Sequence, residues 1–137
     1  MIFDSDTHLS PRKEGGNSVN AEGMLRLMDR AGVDKCLSWV YPPYIKTDLN
    51  DYVAYVSESM KRYPDRIYGF GWIDPSLGIN NAVELTKRCV QEYCMYGIKL
   101  NGSQNKFFID DPQVTYPIID VVRDAGKIVA FHTGSDD

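Results

Sequence analysis

The residues best suited to chemistry stand at the beginning of the chain, where an acidic residue and a histidine follow a short apolar stretch. Residues 2–8 read Ile-Phe-Asp-Ser-Asp-Thr-His, which is typical of a β-strand that ends in polar residues. Alternate side chains of a strand share one face, so Asp6 and His8 are expected on the same side, together with Ile2 and Asp4. A carboxylate and an imidazole at a strand end can bind one divalent metal ion. We therefore predict Asp6 and His8 as metal ligands.

The chain contains one further histidine, His132, and it also follows an apolar run, residues 128–131. We predict that the intervening residues bring the two strand ends together and that His132 is the third metal ligand. The alternative stays open: Asp6 caps a turn, and His8 is merely exposed.

Composition excludes several classes of partner. The 137 residues are enough for one domain, and the net charge of −4 argues against nucleic acid or an anionic membrane as the main partner. No apolar run reaches the length of about 18–20 residues that spans a membrane, and the N-terminus lacks the features of a signal peptide. A cytoplasmic location is therefore expected. The three cysteines, Cys36, Cys89 and Cys94, are expected as free thiols that pack as small hydrophobic residues.

Strand and helix patterns alternate along the chain at a steady period. After the first strand, further strands are predicted to begin near residues 33, 66, 97 and 127. The helices between them are predicted to begin after Ser18 or Asn20, after Asp48 or Asn50, near residue 82 and at Pro117, and the first is predicted to end at Gly32. Residues 103–111 are expected to form a loop. Repeated units of about 31 residues indicate parallel βα units, found in open doubly wound sheets and in closed eight-stranded barrels.

The barrel is the favoured architecture. No G-x-G-x-x-G follows the first strand, and eight units of this period add up to roughly the 250 residues of a barrel. Residues 1–137 are therefore predicted to form a single partial domain, with the first five strands and four helices of an incomplete (β/α)8 barrel.

Polar residues gather where the predicted strands end, which is where both parallel architectures bind ligands. Asp74 ends the third strand and Asn101 the fourth, and Lys99 shares with Asn101 the face that points inward. A buried lysine needs a partner. That partner is an ion-paired carboxylate of Asp4 or Asp74, a substrate carboxylate, or a modification of the lysine that bridges two metals. We predict Lys99 as catalytic and Asn101 and Asp74 as substrate-binding. The aromatic residues Trp39, Trp72, Phe107 and Phe108 are expected in the core, with the wall of a pocket as the alternative.

Three short segments together resemble a known family. Residues 4–8 (Asp-Ser-Asp-Thr-His), 97–100 (Gly-Ile-Lys-Leu) and 131–134 (Phe-His-Thr-Gly) resemble the metal-dependent amidohydrolase superfamily. The branch is the amidohydrolase-2 group, which includes the aminocarboxymuconate-semialdehyde decarboxylase-like enzymes. The resemblance implies a (β/α)8 barrel that holds one divalent ion, with zinc expected first and manganese as the alternative.

The resemblance also implies roles for individual residues. The first-strand pair of the family is commonly His-x-His or Glu-x-His, and Asp6 and His8 stand at those positions here. His132 matches the fifth-strand histidine. The family's sixth-strand histidine and eighth-strand aspartate have no counterpart among these 137 residues.

The implied ion lowers the pKa of a bound water and polarises a substrate oxygen. A metal-dependent hydrolase acting on a small carboxylate or carbonyl compound is therefore expected. The chain is also expected to be capable of forming a homo-oligomer. Two alternatives are a non-oxidative decarboxylase of the same family and a non-catalytic αβ binding or oligomerisation module.

Overall fold

The computed structural model describes residues 1–11, 18–42 and 44–134. The chain divides into two compact units, Met1–Phe70 and Gly71–Asp137. The strands are β1 (Phe3–Leu9), β2 (Lys35–Val40), β3 (Ile67–Ile73), β4 (Gly97–Asn101) and β5 (Ile128–His132). The helices are α1 (Ala21–Ala31), α2 (Leu49–Arg62), α3 (Ile79–Lys87), α4 (Gly102–Asn105) and α5 (Pro112–Asp124), and α3 continues into a π-helical turn, Arg88–Glu92. The predicted alternation of strands and helices is confirmed.

In the first unit, β1, β2 and the first residues of β3 are parallel, and α2 packs against one face of β2 and β3. β1 pairs with β2 and β2 pairs with β3, each in parallel. A side chain added at Gly69 of β3 would meet Val56 and Met60 of α2 at 3.2 and 3.4 Å, so Gly69 faces that helix. Because Ser38 of β2 is the register partner of Gly69, it also faces α2, and the next residue, Trp39, points to the opposite side.

Helix α1 begins and ends as its sequence predicts. The side chain of Asn20 accepts a hydrogen bond from the backbone N–H of Gly23, which satisfies a donor that the first turn leaves without a helical partner. At the other end Gly32 adopts φ 70°, a left-handed conformation that glycine enters at little cost. The chain is thereby directed into β2.

A β-bulge in β1 changes the faces predicted for its residues. Asp4 and Thr7 are three residues apart, but their partners on β2 are only two residues apart. Thr7 therefore lies on the α2 side, with its Oγ1 2.6 Å from Ser38 Oγ, and His8 lies on the opposite side as the register partner of Trp39. The prediction that Asp4 and His8 share a face is wrong, because alternation fails where a strand holds an extra residue.

In the second unit, β4 and β5 pair in parallel with an unbroken register. Ile98 and Leu100 are fully buried, and a side chain added at Gly71 of β3 would meet Ile98 at 3.5 Å and the Sγ of Cys89 at 2.4 Å. Gly71, Ile98 and Leu100 therefore lie on the face that packs against the segment after α3. As predicted, Lys99 lies on the other face.

Helix α5 corrects one prediction. Pro117 was expected to begin its own helix, but α5 runs without interruption from Pro112 to Asp124 with Pro117 inside it. Proline removes the hydrogen bond to the carbonyl of residue 113. Gln113 and Pro117 are both exposed, so water can bind that carbonyl. Asp111 caps the helix through the N–H of Gln113, and fully buried Ile118 anchors it, which together offset the cost.

Replacing Pro117 with alanine is expected to stabilise the chain by about 1 kcal/mol, because one helical hydrogen bond is restored while the unfolded chain gains freedom. The measurement is the urea midpoint of the variant against that of the unchanged chain, at equal slope. Ala125→Gly at the end of the same helix is the control, and it should lower the midpoint. A lower midpoint for Pro117→Ala would show that the proline itself contributes to packing.

Other differences are local. The segment expected as a loop, residues 103–111, begins with the short helix α4, which Asn101 caps through the N–H of Gln104. Cys36 and Cys89 are buried free thiols, as predicted, whereas Cys94 is a free thiol but exposed. Trp39 and Trp72 are buried, as expected for the core, whereas Phe108 is exposed. None of the helices within the described ranges is both long and apolar enough to cross a lipid bilayer.

Candidate metal and substrate site

The end of β1 places the first predicted pair of metal ligands close together. The Oδ1 of Asp6 lies 3.9 Å from the Nδ1 of His8. Two atoms that bind one ion at about 2.0–2.2 Å lie at most about 4.2 Å apart, so this separation is within reach of a shared ion. Asp6 is exposed and His8 is half-buried. The predicted proximity of the two side chains is confirmed, and their role as ligands stays a prediction.

His8 is also held by an aromatic partner that sequence reasoning missed. The indole N–H of Trp39 donates a hydrogen bond of 2.8 Å to the Nε2 of His8, and the two rings are nearly perpendicular. The ring of Tyr41 is also nearly perpendicular to the imidazole, with 6.1 Å between the ring centroids. The missed signal was the register, because Trp39 is the partner of His8 once the bulge in β1 is counted.

The hydrogen bond from Trp39 determines which nitrogen of His8 carries the proton. An indole N–H only donates, so Nε2 must be the nitrogen that accepts. A neutral imidazole that accepts at Nε2 carries its proton on Nδ1, the nitrogen that faces Asp6. In this conformation, therefore, the Nε2 lone pair of His8 accepts from Trp39, and the proton is on Nδ1, which lies 3.9 Å from the Oδ1 of Asp6.

A cleft gives access to this pair from one side. Its volume is about 330 Å³, and it lies in the first unit between the end of β1 and helix α1. Asp6, His8 and Tyr41 line one side, and Met24, Leu27 and Met28 of α1 line the other. A polar end and an apolar wall are the features of a small-molecule site.

The residue types of the pair fit a divalent ion, but the conformation of His8 does not. Oxygen and imidazole nitrogen ligands suit both zinc and manganese. As placed, however, neither nitrogen of His8 offers a lone pair while the indole of Trp39 stays in position. Consistent with this, the described ranges contain no group of three or more His, Cys, Asp and Glu side chains arranged to hold a metal.

The second unit brings together a second set of predicted residues. Asn101 and His132 are register partners at the carboxyl ends of β4 and β5, and Lys99 and Ala130 are partners one pleat below. Lys99, Asn101 and His132 therefore share one face, and the small side chain of Ala130 leaves space beside the lysine. Lys99 is only 7% exposed. This face offers a buried ammonium, an amide and an imidazole to a ligand.

Asp74 and Asn101, the predicted substrate ligands, both have structural roles. The Oδ1 of Asp74 accepts hydrogen bonds from the backbone N–H and the hydroxyl of Ser76, at 3.0 and 2.6 Å. The Oδ1 of Asn101 accepts from the backbone N–H of Gln104 at 3.0 Å. These contacts fix the turns that follow β3 and β4. For substrate binding, Asn101 then has its amide nitrogen to offer rather than its oxygen.

The chain matches the model of a known protein family. The model of the amidohydrolase family Amidohydro_2 matches residues 39–136, which include β2 to β5 and the predicted residues Asp74, Lys99, Asn101 and His132. Asp6 and His8 precede the matched range. A search of the curated proteins finds no match.

Solved structures share the fold at low sequence identity. A putative amidohydrolase from Staphylococcus aureus matches 97% of this chain with 47% of its own, at 14% identity and a TM-score of 0.76. A 2,6-dihydroxybenzoate decarboxylase in complex with 2,6-dihydroxybenzoate matches 96% of this chain with 50% of its own, at 17% identity and a TM-score of 0.73. The 5-carboxyvanillate decarboxylase of Novosphingobium aromaticivorans, with bound manganese, matches 80% with 33%, at 20% identity and a TM-score of 0.65.

These likenesses confirm the predicted fold. The chain has the first five strands and the four connecting helices of a (β/α)8 barrel, with the short helix α4 in addition. It spans half or less of the length of each of the three structures.

Proposed function

The chain belongs to the amidohydrolase-2 family, and from this premise we propose that it supplies part of the active site of an enzyme that decarboxylates a small, aromatic carboxylic acid. Two observations support the choice. Two of the structures that share its fold are decarboxylases of substituted benzoates. The buried ammonium of Lys99, on the same face as Asn101 and His132, suits the carboxylate of such an acid. The second observation carries the proposal.

The burial of Lys99 gives it a large effect on a bound acid. Little water reaches Lys99, so a hydrogen bond from its ammonium to a bound carboxylate is weakened less by solvent than it would be at the surface. A charge-assisted hydrogen bond from Lys99 to the carboxylate, supported by the amide nitrogen of Asn101, would hold the acid with its ring over Ala130. Decarboxylation then breaks the bond between the ring and the carboxyl carbon. The electron pair stays on the ring carbon, which takes a proton, and carbon dioxide leaves.

A divalent ion, zinc or manganese, is part of this proposal through the family. When bound, such an ion stabilises negative charge that develops on the substrate. Asp6, His8 and His132 are the residues proposed to hold it, and they belong to different units of the chain. No step above depends on the ion, because His8 in its present conformation has no lone pair to offer it.

Hydrolysis is the second candidate, and the exposed carboxylate on β1 favours it. Asp6, whose Oδ1 lies 3.9 Å from the Nδ1 of His8, has lone pairs with which it can accept a proton from an attacking water. The two reactions are distinguished by their products: an acid labelled with ¹³C in its carboxyl group releases labelled carbon dioxide only by decarboxylation. The predicted homo-oligomer stays a prediction.

The test of the proposed function is the affinity for 2,6-dihydroxybenzoate, measured by calorimetry. Lys99→Met keeps the length of the side chain and removes the charge, and is expected to weaken binding about 10- to 100-fold, because a hydrogen bond to a charged group contributes about 1.5–3 kcal/mol. Lys127→Met is the matched control, because it removes the same charge just before the opposite end of β5. Equal affinity in all three proteins would remove Lys99 from the site. Absence of binding in all three would favour the non-catalytic module.

A further inference from the structure

Trp39 occupies the position on His8 that a metal ion would need. Its indole N–H lies 2.8 Å from Nε2, and the side chain is 3% exposed, packed 6.2 Å from the ring of Phe70 between centroids. The contact is therefore part of the core of the first unit rather than an incidental surface contact. Because register pairs Trp39 with His8, the two strands β1 and β2 hold the rings together.

Neither nitrogen of His8 can bind an ion while this contact persists. An ion at Nε2 would take the lone pair that accepts from the indole. An ion at Nδ1 would require the proton to move to Nε2, and two N–H donors would then face each other across 2.8 Å. In both cases the indole of Trp39 must move away from the imidazole.

We propose that Trp39 is an internal competitor for the metal ligand His8: the indole holds His8 in a metal-free conformation, and a divalent ion binds only by displacing it. The inference rests on the proposed function in one respect, that His8 is a metal ligand. It goes further because it assigns to Trp39 the role of opposing the binding of the metal ion. The cleft beside Asp6 and His8 is the side from which an ion arrives.

The test compares the affinity of the chain for Zn²⁺ and for Mn²⁺, by calorimetry, with that of Trp39→Phe. Phenylalanine keeps an aromatic ring in the core and removes the indole N–H that donates to His8. Loss of a competing hydrogen bond is expected to raise the affinity for each ion about three- to tenfold. Trp72→Phe is the matched control: it makes the same change at the other buried tryptophan, in the second unit, and should leave affinity unchanged. His8→Ala should lose affinity.

A second readout needs no core substitution. The chain has two tryptophans, so a ¹⁵N-labelled sample shows two indole N–H signals, and the one absent from Trp72→Phe is that of Trp72. Addition of Zn²⁺ should shift the signal of Trp39 and leave that of Trp72 in place. This measurement decides the question even if Trp39→Phe does not fold.

The outcomes separate this inference from the function on which it rests. Zinc binding that His8→Ala abolishes, with equal affinity in Trp39→Phe and an unmoved indole signal, would overturn the competition and leave the metal site intact. Binding that His8→Ala leaves unchanged would overturn the role of His8 as a ligand and the competition with it. A rise in affinity together with a shifted signal supports the proposal.

Discussion

Replacing Gly71 with alanine is expected to lower the free energy of unfolding by about 3 kcal/mol, because the new methyl group has no space. It would lie 2.4 Å from the Sγ and 3.1 Å from the Cβ of Cys89. Cys89 is completely buried, so it has little room to withdraw. Gly71 thus allows the turn after α3 to approach β3 closely. The measurement is chemical unfolding of the purified variant.

The partner of the clash can be removed to check the cause. Cys89→Ala alone should lower the free energy of unfolding, because it leaves a cavity. Added to Gly71→Ala, the same substitution should instead raise the free energy of unfolding by about 2 kcal/mol, because the methyl group at residue 71 then occupies the space of the sulfur. Gly32→Ala is the control, since nothing lies within 4 Å of its added methyl and only its φ of +70° is unfavourable. Strictly additive losses in the double variant would show that the two residues do not compete for space.

Alkaline pH is expected to destabilise the chain through the same thiol. Burial raises the pKa of Cys89 from 9.0 to about 12, and the nearby charge of Arg88 offsets only part of this. Between these two values the unfolded chain loses the proton and the folded chain keeps it, so stability is full below pH 9 and falls as the pH rises. The loss attributable to this group should reach about 2 kcal/mol at pH 10.5.

The contribution of Cys89 is isolated by difference, because other groups also titrate at high pH. The unfolding free energy of the unchanged chain minus that of Cys89→Ala should fall between pH 8 and pH 10.5. Cys94→Ala removes an exposed thiol and is the control for the loss of a cysteine as such. A flat difference for Cys89→Ala would mean that the buried thiol does not couple to folding.

Much of the fold was predictable because the signals are local. Asn20 and Gly32 bound α1 as their capping chemistry predicts, and the period of the strand patterns identified the parallel βα units. Pro117 was misread because a local rule penalises proline within a helix, whereas Asp111 and buried Ile118 stabilise α5 from both sides of it. Tertiary packing outweighed the local preference.

The candidate site was predictable only in part, for a geometric reason. The faces of Lys99 and Asn101 follow from simple alternation, and the unbroken register of β4 and β5 confirms them. The surroundings of His8 depend on Trp39, which is about thirty residues away and is brought beside it only by the pairing of two strands. No pattern in the sequence around His8 predicts that Trp39 is its partner.

The bulge in β1 interrupts the alternation of side chains between the two faces of the sheet, so the alternation starts anew after it. Before the bulge, Phe3 lies on the same face of the sheet as its partner Lys35, and after the bulge His8 lies on that face beside Trp39. Phe3 and His8 are five positions apart, whereas residues on one face of a regular strand are an even number of positions apart. Deleting Ser5 would bring the strand back to regular pairing while the residues on either side of the gap keep their present faces. A shorter relative could therefore keep the histidine beside the tryptophan, and an alignment of such strands should allow a gap of one residue between Asp4 and Thr7.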